Sequence, residues 1–166
     1  LVDSTQDYDN IVYIQLEIGV KMDIETAKKL TSPCGIPCFH CPVYMASFNP
    51  EIRTRVAETL NIPEEKASCE GCRPQEGRIK VLKTEEQCKI FSCAVDKSVE
   101  FCHECDDFPC ERFQPYADKA HYPHNTKMFQ LCMMKKLGFE KWAEEEARKI
   151  WDTYRTKPFD FDDILY

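Results

Sequence analysis

Eleven cysteines in 166 residues constrain this chain more tightly than any other feature of it. In order they run Cys34-x3-Cys38-x2-Cys41, Cys69-x2-Cys72, Cys88-x4-Cys93 and Cys102-x2-Cys105-x4-Cys110, with Cys132 apart. So high a cysteine content has three common physical explanations: disulfides, bound metal or redox chemistry. The odd count and the repeated C-x2-C pairs argue against a disulfide framework, because two cysteines one turn apart suit a shared metal ion better than distant partners. A C-x2-C pair in a tight turn, helped by Gly as in "CEGC", aims both sulfurs at a point about 2.3 Å from each. Two such pairs complete a tetrahedron.

With 43% hydrophobic residues, the chain has material for one core of ordinary size. We read residues 22–166 as one compact domain and 1–21 as an extension before it, since the sequence admits Met22 as a native start. Leu1 to Val20 has no basic n-region, and its apolar run Ile11 to Val20 is broken by Gln15 and Glu17. It is therefore read as neither a secretory signal nor a membrane span, which points to a cytoplasmic protein away from the membrane. The net charge is −7, and every zinc held by four thiolates would add two more negative charges. Basic residues fall in dispersed pairs (Lys28-Lys29, Arg53 with Arg55, Lys135-Lys136) rather than in a stripe among aromatics, so no nucleic-acid partner is expected.

Residues 11–18 alternate, with Ile14, Leu16 and Ile18 on one side, and read as a half-buried strand. A helix is expected to open at Met22 in "MDIETAKKL". Asn49-Pro50 reads as N-cap and N1 of a second, with Ile52, Val56 and Leu60 on one face until Asn61-Ile62-Pro63 ends it. Thr84-x-x-Gln87 reads as a capping box for a helix through Cys88. Residues 69–110 have too few large hydrophobes for a core of their own, so metal bonds are expected to supply folding free energy there. Asn125 is expected to cap a helix ending near Leu137-Gly138, followed by another from Phe139 to about Tyr154. Phe139, Trp142, Ala143, Ala147, Ile150, Trp151 and Tyr154 share a face of that helix, with the tryptophans as core anchors. The expected class is α+β and mostly helical. It has an irregular metal-stapled Cys-rich part over 31–113, a helical hairpin over 125–155 and at most a small sheet.

Cys132, in the stripe Met128, Leu131, Cys132, is expected to be a buried core thiol. His40 and His103 occupy the middle of "CFHC" and "CHEC", where side chains usually point away from the ion, and their role stays open. His121 and His124 flank Pro123 with no partner evident in the sequence. The segments "PCGIPCFHCPVYMA", "CEGC", "CKIFSCAVDKSVEFCHECDDFPCERF" and, more weakly, "HNTKMFQLCMMKKLGFEKWAEEEARKIW" resemble a prokaryotic family catalogued as domain of unknown function 3795. The resemblance spans roughly 31–151, and its most specific element is an opening C-G-x-x-C-x-x-C with a closing C-x-x-C-x-x-F-P-C. It implies zinc bound through ten positions: Cys34, Cys38, Cys41, Cys69, Cys72, Cys88, Cys93, Cys102, Cys105 and Cys110. It implies no reaction. Some relatives continue into a further cysteine pair, whereas here the tail "TKPFDFDDILY" has none.

C-x3-C-x2-C is also the cluster motif of radical S-adenosylmethionine enzymes. That motif, however, resembles C-x3-C-x-aromatic-C, and His40 precedes Cys41 here. The chain is also too short for the barrel such enzymes need. Zinc and iron–sulfur clusters both accept four thiolates, but paired C-x2-C units from separated turns favour zinc, and two ions are expected. The expected pairing joins Cys69, Cys72, Cys102 and Cys105 in one site and Cys34, Cys38, Cys41 and Cys110 in the other. Cys88 and Cys93 cannot share an ion unless a helix starts or breaks between them. Cys110, expected in the first turn of a helix from Pro109, would be reactive if it were not a ligand. No G-x-S-x-G, P-loop, Rossmann fingerprint or H-E-x-x-H occurs, and Glu144-Glu145-Glu146 reads as a solvated helix face. These features favour a non-catalytic zinc protein that engages a protein partner as an interaction or regulatory module. An iron–sulfur or thiol-based redox protein is the alternative.

Overall fold

In the computed structural model, residues 23–82, 86–117, 123–158 and 160 are described. The expected strand over 11–18, together with Met22, Thr84 and His121, lies outside them. The described residues are mostly helical, and their one β-type contact is an isolated antiparallel bridge between Thr31 and Pro37. Helix α1 (Ile24–Lys29) starts where Asp23 accepts from the Thr26 amide at 2.9 Å and its hydroxyl at 2.7 Å. A single turn, α2 (Pro42–Met45), leads to α3 (Pro50–Leu60). Asn49 caps α3 as expected, its Oδ1 accepting from the amides of Glu51 at 2.9 Å and Ile52 at 3.2 Å. Asn61, at φ 50°, ends the helix in the left-handed region. Ile52, Val56 and Ala57 of α3 pack on Ala46 and Ala67 to form a small satellite core.

Helix α4 (Lys89–Asp96) begins just after Cys88, which is its N-cap, rather than running through that residue. The side-chain amide of Gln87 donates to the Glu76 carbonyl at 2.8 Å and ties the helix entry to the preceding turn. The helix from Pro109 is replaced by a 3-10 turn (Glu111–Phe113) that Cys110 precedes.

The C-terminal hairpin consists of α5 (Lys127–Leu137), α6 (Phe139–Lys141), a π turn (Trp142–Glu146) and α7 (Ala147–Thr156). Gly138, at φ 82°, makes the reversal that an L side chain would resist. Asn125 does not cap α5. It sits in a 3-10 turn (Pro123–Thr126), and its side-chain amide pairs with the backbone of Tyr116 in both directions, at 3.1 and 3.2 Å. The tryptophans are core anchors as expected, with Trp142 and Trp151 at 0% and 1% exposure.

Cys132 is corrected from core to surface: it is exposed. The buried face of α5 is formed by Gln130, Leu131 and Met134, which places Cys132 on the far side of the helix. A polar residue takes the core position because the neighbouring helix demands it. Trp142 Nε1 donates to Gln130 Oε1 at 2.7 Å, and Gln130 Nε2 donates to the Ala147 carbonyl at 3.2 Å. The main core joins Ile90, Phe101 and Phe113 to Leu131, Met134, Trp142, Ala143 and Ala147, with Cys34 among them. Residues 69–110 thus build no core alone, but Ile90 and Phe101 anchor them in one shared with the hairpin.

Gln130→Ala should leave the Trp142 N–H and Ala147 carbonyl unpaired in a dry core and cost about 3 kcal/mol in urea unfolding. A loss below about 1 kcal/mol would mean the buried amide is dispensable. Cys132→Ala should stay within about 0.5 kcal/mol of the parent.

Candidate metal centre

The loop after α1 is folded tightly on itself. Ser32 N–H donates to the Ile36 carbonyl at 3.0 Å, Gly35 N–H to Ser32 at 2.9 Å and Cys38 N–H to Leu30 at 2.8 Å. Gly35 has φ +85°, and a Cβ there would lie 2.9 Å from Leu131 Cγ, so only glycine lets this turn seat against α5. The reversal separates Cys34 from Cys38. Cys34 enters the main core, where Ser32 Oγ lies 3.0 Å from its sulfur, while Cys38 faces the other way.

Cys38 and Cys41 close a 3-10 turn, Cys41 N–H donating to the Cys38 carbonyl at 2.9 Å. Cys41 then precedes α2 as its N-cap residue, and the Val43 and Tyr44 amides at the head of that helix favour its thiolate. The turn Cys69–Cys72 repeats the device. Gly71, at φ +98°, allows its own amide to reach Cys69 Sγ at 3.4 Å, and Gln75 Nε2 donates to the same sulfur at 3.0 Å. Ser47 Oγ holds the Cys69 carbonyl at 3.1 Å. A Cβ on Gly71 would sit 3.8 Å from Cys38 Cβ, and the Cys72 amide favours the Cys38 thiolate, so the two turns face each other.

The electrostatics follow from this enclosure. Burial pushes the Cys38 thiol well up, reinforced by the neighbouring sulfurs of Cys41, Cys72 and Cys69 and opposed by the Cys72 amide. Burial also raises Cys41, against the amides of Tyr44 and Val43. Cys72 is pushed up to about 12, by burial first and then by Cys34 and Cys88, with Arg73 and Lys127 opposing.

A second group surrounds Cys34. Cys102 N–H donates to the Pro33 carbonyl at 2.9 Å, and Cys88, Cys102 and Cys110 pack against the core cluster that holds Cys34. Burial pushes Cys102 up to about 12, with Cys34, Cys110, Cys93 and Cys105 adding in that order. Cys93 and Cys105 are half-buried and are not among the side chains packed on that cluster. The Cys69–Cys72 turn meets Cys38 and Cys41 rather than Cys102 and Cys105, and Cys72 also lies within charge range of Cys34 and Cys88. A helix does start between Cys88 and Cys93.

Among the described residues, no three Cys, His, Asp or Glu side chains converge closely enough to form a metal-coordinating group. The donor chemistry nonetheless fits a soft divalent ion: neighbouring thiols, desolvated and supplied with N–H donors, form the set that such an ion would deprotonate and draw together. The imidazoles have other surroundings. Burial, with Arg148 adding, lowers His40 to about 4, and its ring lies 4.5 Å from that of Phe39. His103 stacks on Phe101 at 5.9 Å and is lowered by burial. His124 Nε2 lies 3.1 Å from the Gln114 carbonyl. Glu145 and Glu146 pair with Lys141 at 4.0 Å and Lys149 at 3.0 Å, as a solvated face should.

Sequence reading missed Arg73. Its Nε donates to the Thr31 carbonyl and its Nη2 to Glu100, both at 2.7 Å, and its guanidinium lies 5.2 Å from the Phe101 ring centroid. One side chain thus clamps both cysteine groups; its place directly after Cys72 was the only available signal. Gly35→Ala, strained in φ and colliding with Leu131, should cost about 2 kcal/mol or more in equilibrium unfolding. A neutral result would show that the turn can move off α5.

Among the described residues, no helix is long and apolar enough to cross a membrane. No curated protein and no solved structure matches the chain. The family model described as "Protein of unknown function (DUF3795)" matches residues 30–115, which include all ten cysteines from Cys34 to Cys110 and stop short of the hairpin. The resemblance in the cysteine-rich segments is thus a family relationship: this chain belongs to the proteins of unknown function described as DUF3795.

Proposed function

We propose that this protein is a metal-stapled interaction module that binds two zinc ions structurally and engages a protein partner through its surface. The observation that carries this reading is the facing pair of C-x2-C turns, Cys38/Cys41 and Cys69/Cys72, with backbone amides directed at their sulfurs. These four are assigned to the first ion. Cys34, Cys88, Cys102 and Cys110, gathered at the main core, are assigned to the second. When bound, zinc would supply the folding free energy that a segment poor in large hydrophobes lacks.

The chain's own residues prepare both sites. The N–H donors toward Cys38, Cys41 and Cys69 would stabilise thiolate. Arg73 and Lys127 near Cys72, and Arg155 near Cys41, offset the negative charge of a four-thiolate shell. Phe48, Val95, Tyr116 and Phe129 are large apolar side chains more than half exposed, which supports a role carried on the surface.

Protein purified without oxygen should be colourless and carry two zinc ions per chain by elemental analysis. One ion or none would count against the assignment, and absorbance in the sulfide-to-iron region would establish the iron–sulfur redox alternative. Cys69→Ser should lose one ion, since a neutral hydroxyl cannot replace a thiolate in a soft shell, while Cys132→Ala should keep both. The raised pKa values of Cys38, Cys72 and Cys102 mean that these thiols carry protons at neutral pH in the metal-free fold. Zinc binding should therefore release protons into weakly buffered solution, and apparent affinity should fall as pH falls. Binding without proton release would exclude thiolate ligation.

A further inference from the structure

Phe113, at the end of the cysteine-rich segment, and Thr126, at the head of the hairpin, are both buried. Between them the chain is clasped by polar contacts. Tyr116 N–H donates to Asn125 Oδ1 at 3.1 Å, Asn125 Nδ2 donates to the Tyr116 carbonyl at 3.2 Å, and His124 Nε2 lies 3.1 Å from the Gln114 carbonyl. A carbonyl can only accept, so Nε2 carries the proton. On the opposite edge of the ring, His124 Nδ1 lies 3.1 Å from Lys127 Nζ. An ammonium can only donate, so Nδ1 is the bare nitrogen. Both contacts therefore select one neutral tautomer. Among the described residues, Lys127 is the charged group that acts on this imidazole, and Tyr116, whose ring centroid lies 5.3 Å away, is the other titratable group beside it.

We propose that His124 is a pH-sensitive latch between the end of the cysteine-rich segment and the hairpin, closed while its imidazole is neutral and released when Nδ1 takes up a proton. A proton on Nδ1 would set two positively charged donors 3.1 Å apart with no acceptor between them. Whichever side chain moves, the contact with Lys127 is lost and the closed form weakens against the open one. Burial, with Lys127 adding and the Gln114 carbonyl opposing, lowers the closed-latch imidazole from its ordinary value of 6.5. The open form therefore binds a proton more readily than the closed form. The latch holds in full above the ordinary value and is lost progressively as pH falls through it towards the lowered one. What it positions is Tyr116, one of the large apolar side chains left exposed, so the surface offered to a partner changes when His124 is protonated.

The test uses the full-length chain as purified. Imidazole-nitrogen NMR at neutral pH should show His124 as the Nε2–H tautomer, and the residue should titrate below the ordinary histidine value. Protection of the Tyr116 amide from hydrogen exchange, corrected for the intrinsic effect of pH, should fall between about pH 7.5 and about pH 5. The factor should equal ten raised to the separation between the pKa of His124 in the closed latch and its ordinary value. Lys127→Met should raise the titration point of His124 and shrink the fall. His124→Gln, which keeps a donor for the Gln114 carbonyl without a titrating nitrogen, should abolish it. Lys127 also lies within charge range of Cys72, so zinc content is followed at each pH to separate metal loss from release of the latch. The proposal is overturned by an Nδ1–H tautomer, by protection that changes less than about twofold over that range, or by an undiminished fall in His124→Gln.

Discussion

The reversal at Gly35 is the constraint on which the rest of the arrangement depends. A backbone at φ +85°, pressed against Leu131, turns the chain so that Cys34 faces the hairpin and Cys38 faces the "CEGC" turn. Cys34 is thereby buried in the main core while Cys72 remains a neighbour of both Cys34 and Cys38. The second glycine, Gly71, answers the first by bringing its turn within van der Waals reach of Cys38.

Packing and polar clamps supply what the thiols cannot. The large buried side chains, Phe101, Trp142, Leu131 and Met134, come from both the cysteine-rich segment and the hairpin, so neither buries its apolar surface alone. Arg73 bridges Thr31 and Glu100 across the cysteine groups, and Gln130 joins α5 to the start of α7 through Trp142 and Ala147. Both are polar groups placed where several backbone or indole partners must be satisfied together. In such positions a hydrogen-bonding side chain is worth more than an apolar one. The raised thiol pKa values come from the same enclosure: desolvation that favours a dry core disfavours thiolate until a cation compensates it.

Much of this was legible in the residues. The Asn49-Pro50 start of α3, the Gly138 break and the buried tryptophans each follow from a local rule in which cap, φ or apolar face decides the outcome. Readings failed where a side chain had a better distant partner than its local one. Asn125 offered a cap but pairs with Tyr116, and Cys132 fitted an apolar stripe that Gln130 displaced. The π turn at Trp142–Glu146 carried no signal in composition or period.

Taken alone, the sequence determined the inventory: ten closely spaced cysteines that include three C-x2-C pairs, a mostly helical chain, two tryptophans on an amphipathic face and membership of a family of proteins of unknown function. Spacing reports which thiols can close a turn, because that is a matter of a few backbone dihedrals between neighbours. It does not report which turn meets which. That the Cys69–Cys72 turn faces Cys38 and that Cys34, Cys88, Cys102 and Cys110 meet at the main core were decided by tertiary structure alone. Those meetings depend on the Gly35 reversal, the Arg73 clamp and the shared core, which act between residues far apart in the chain.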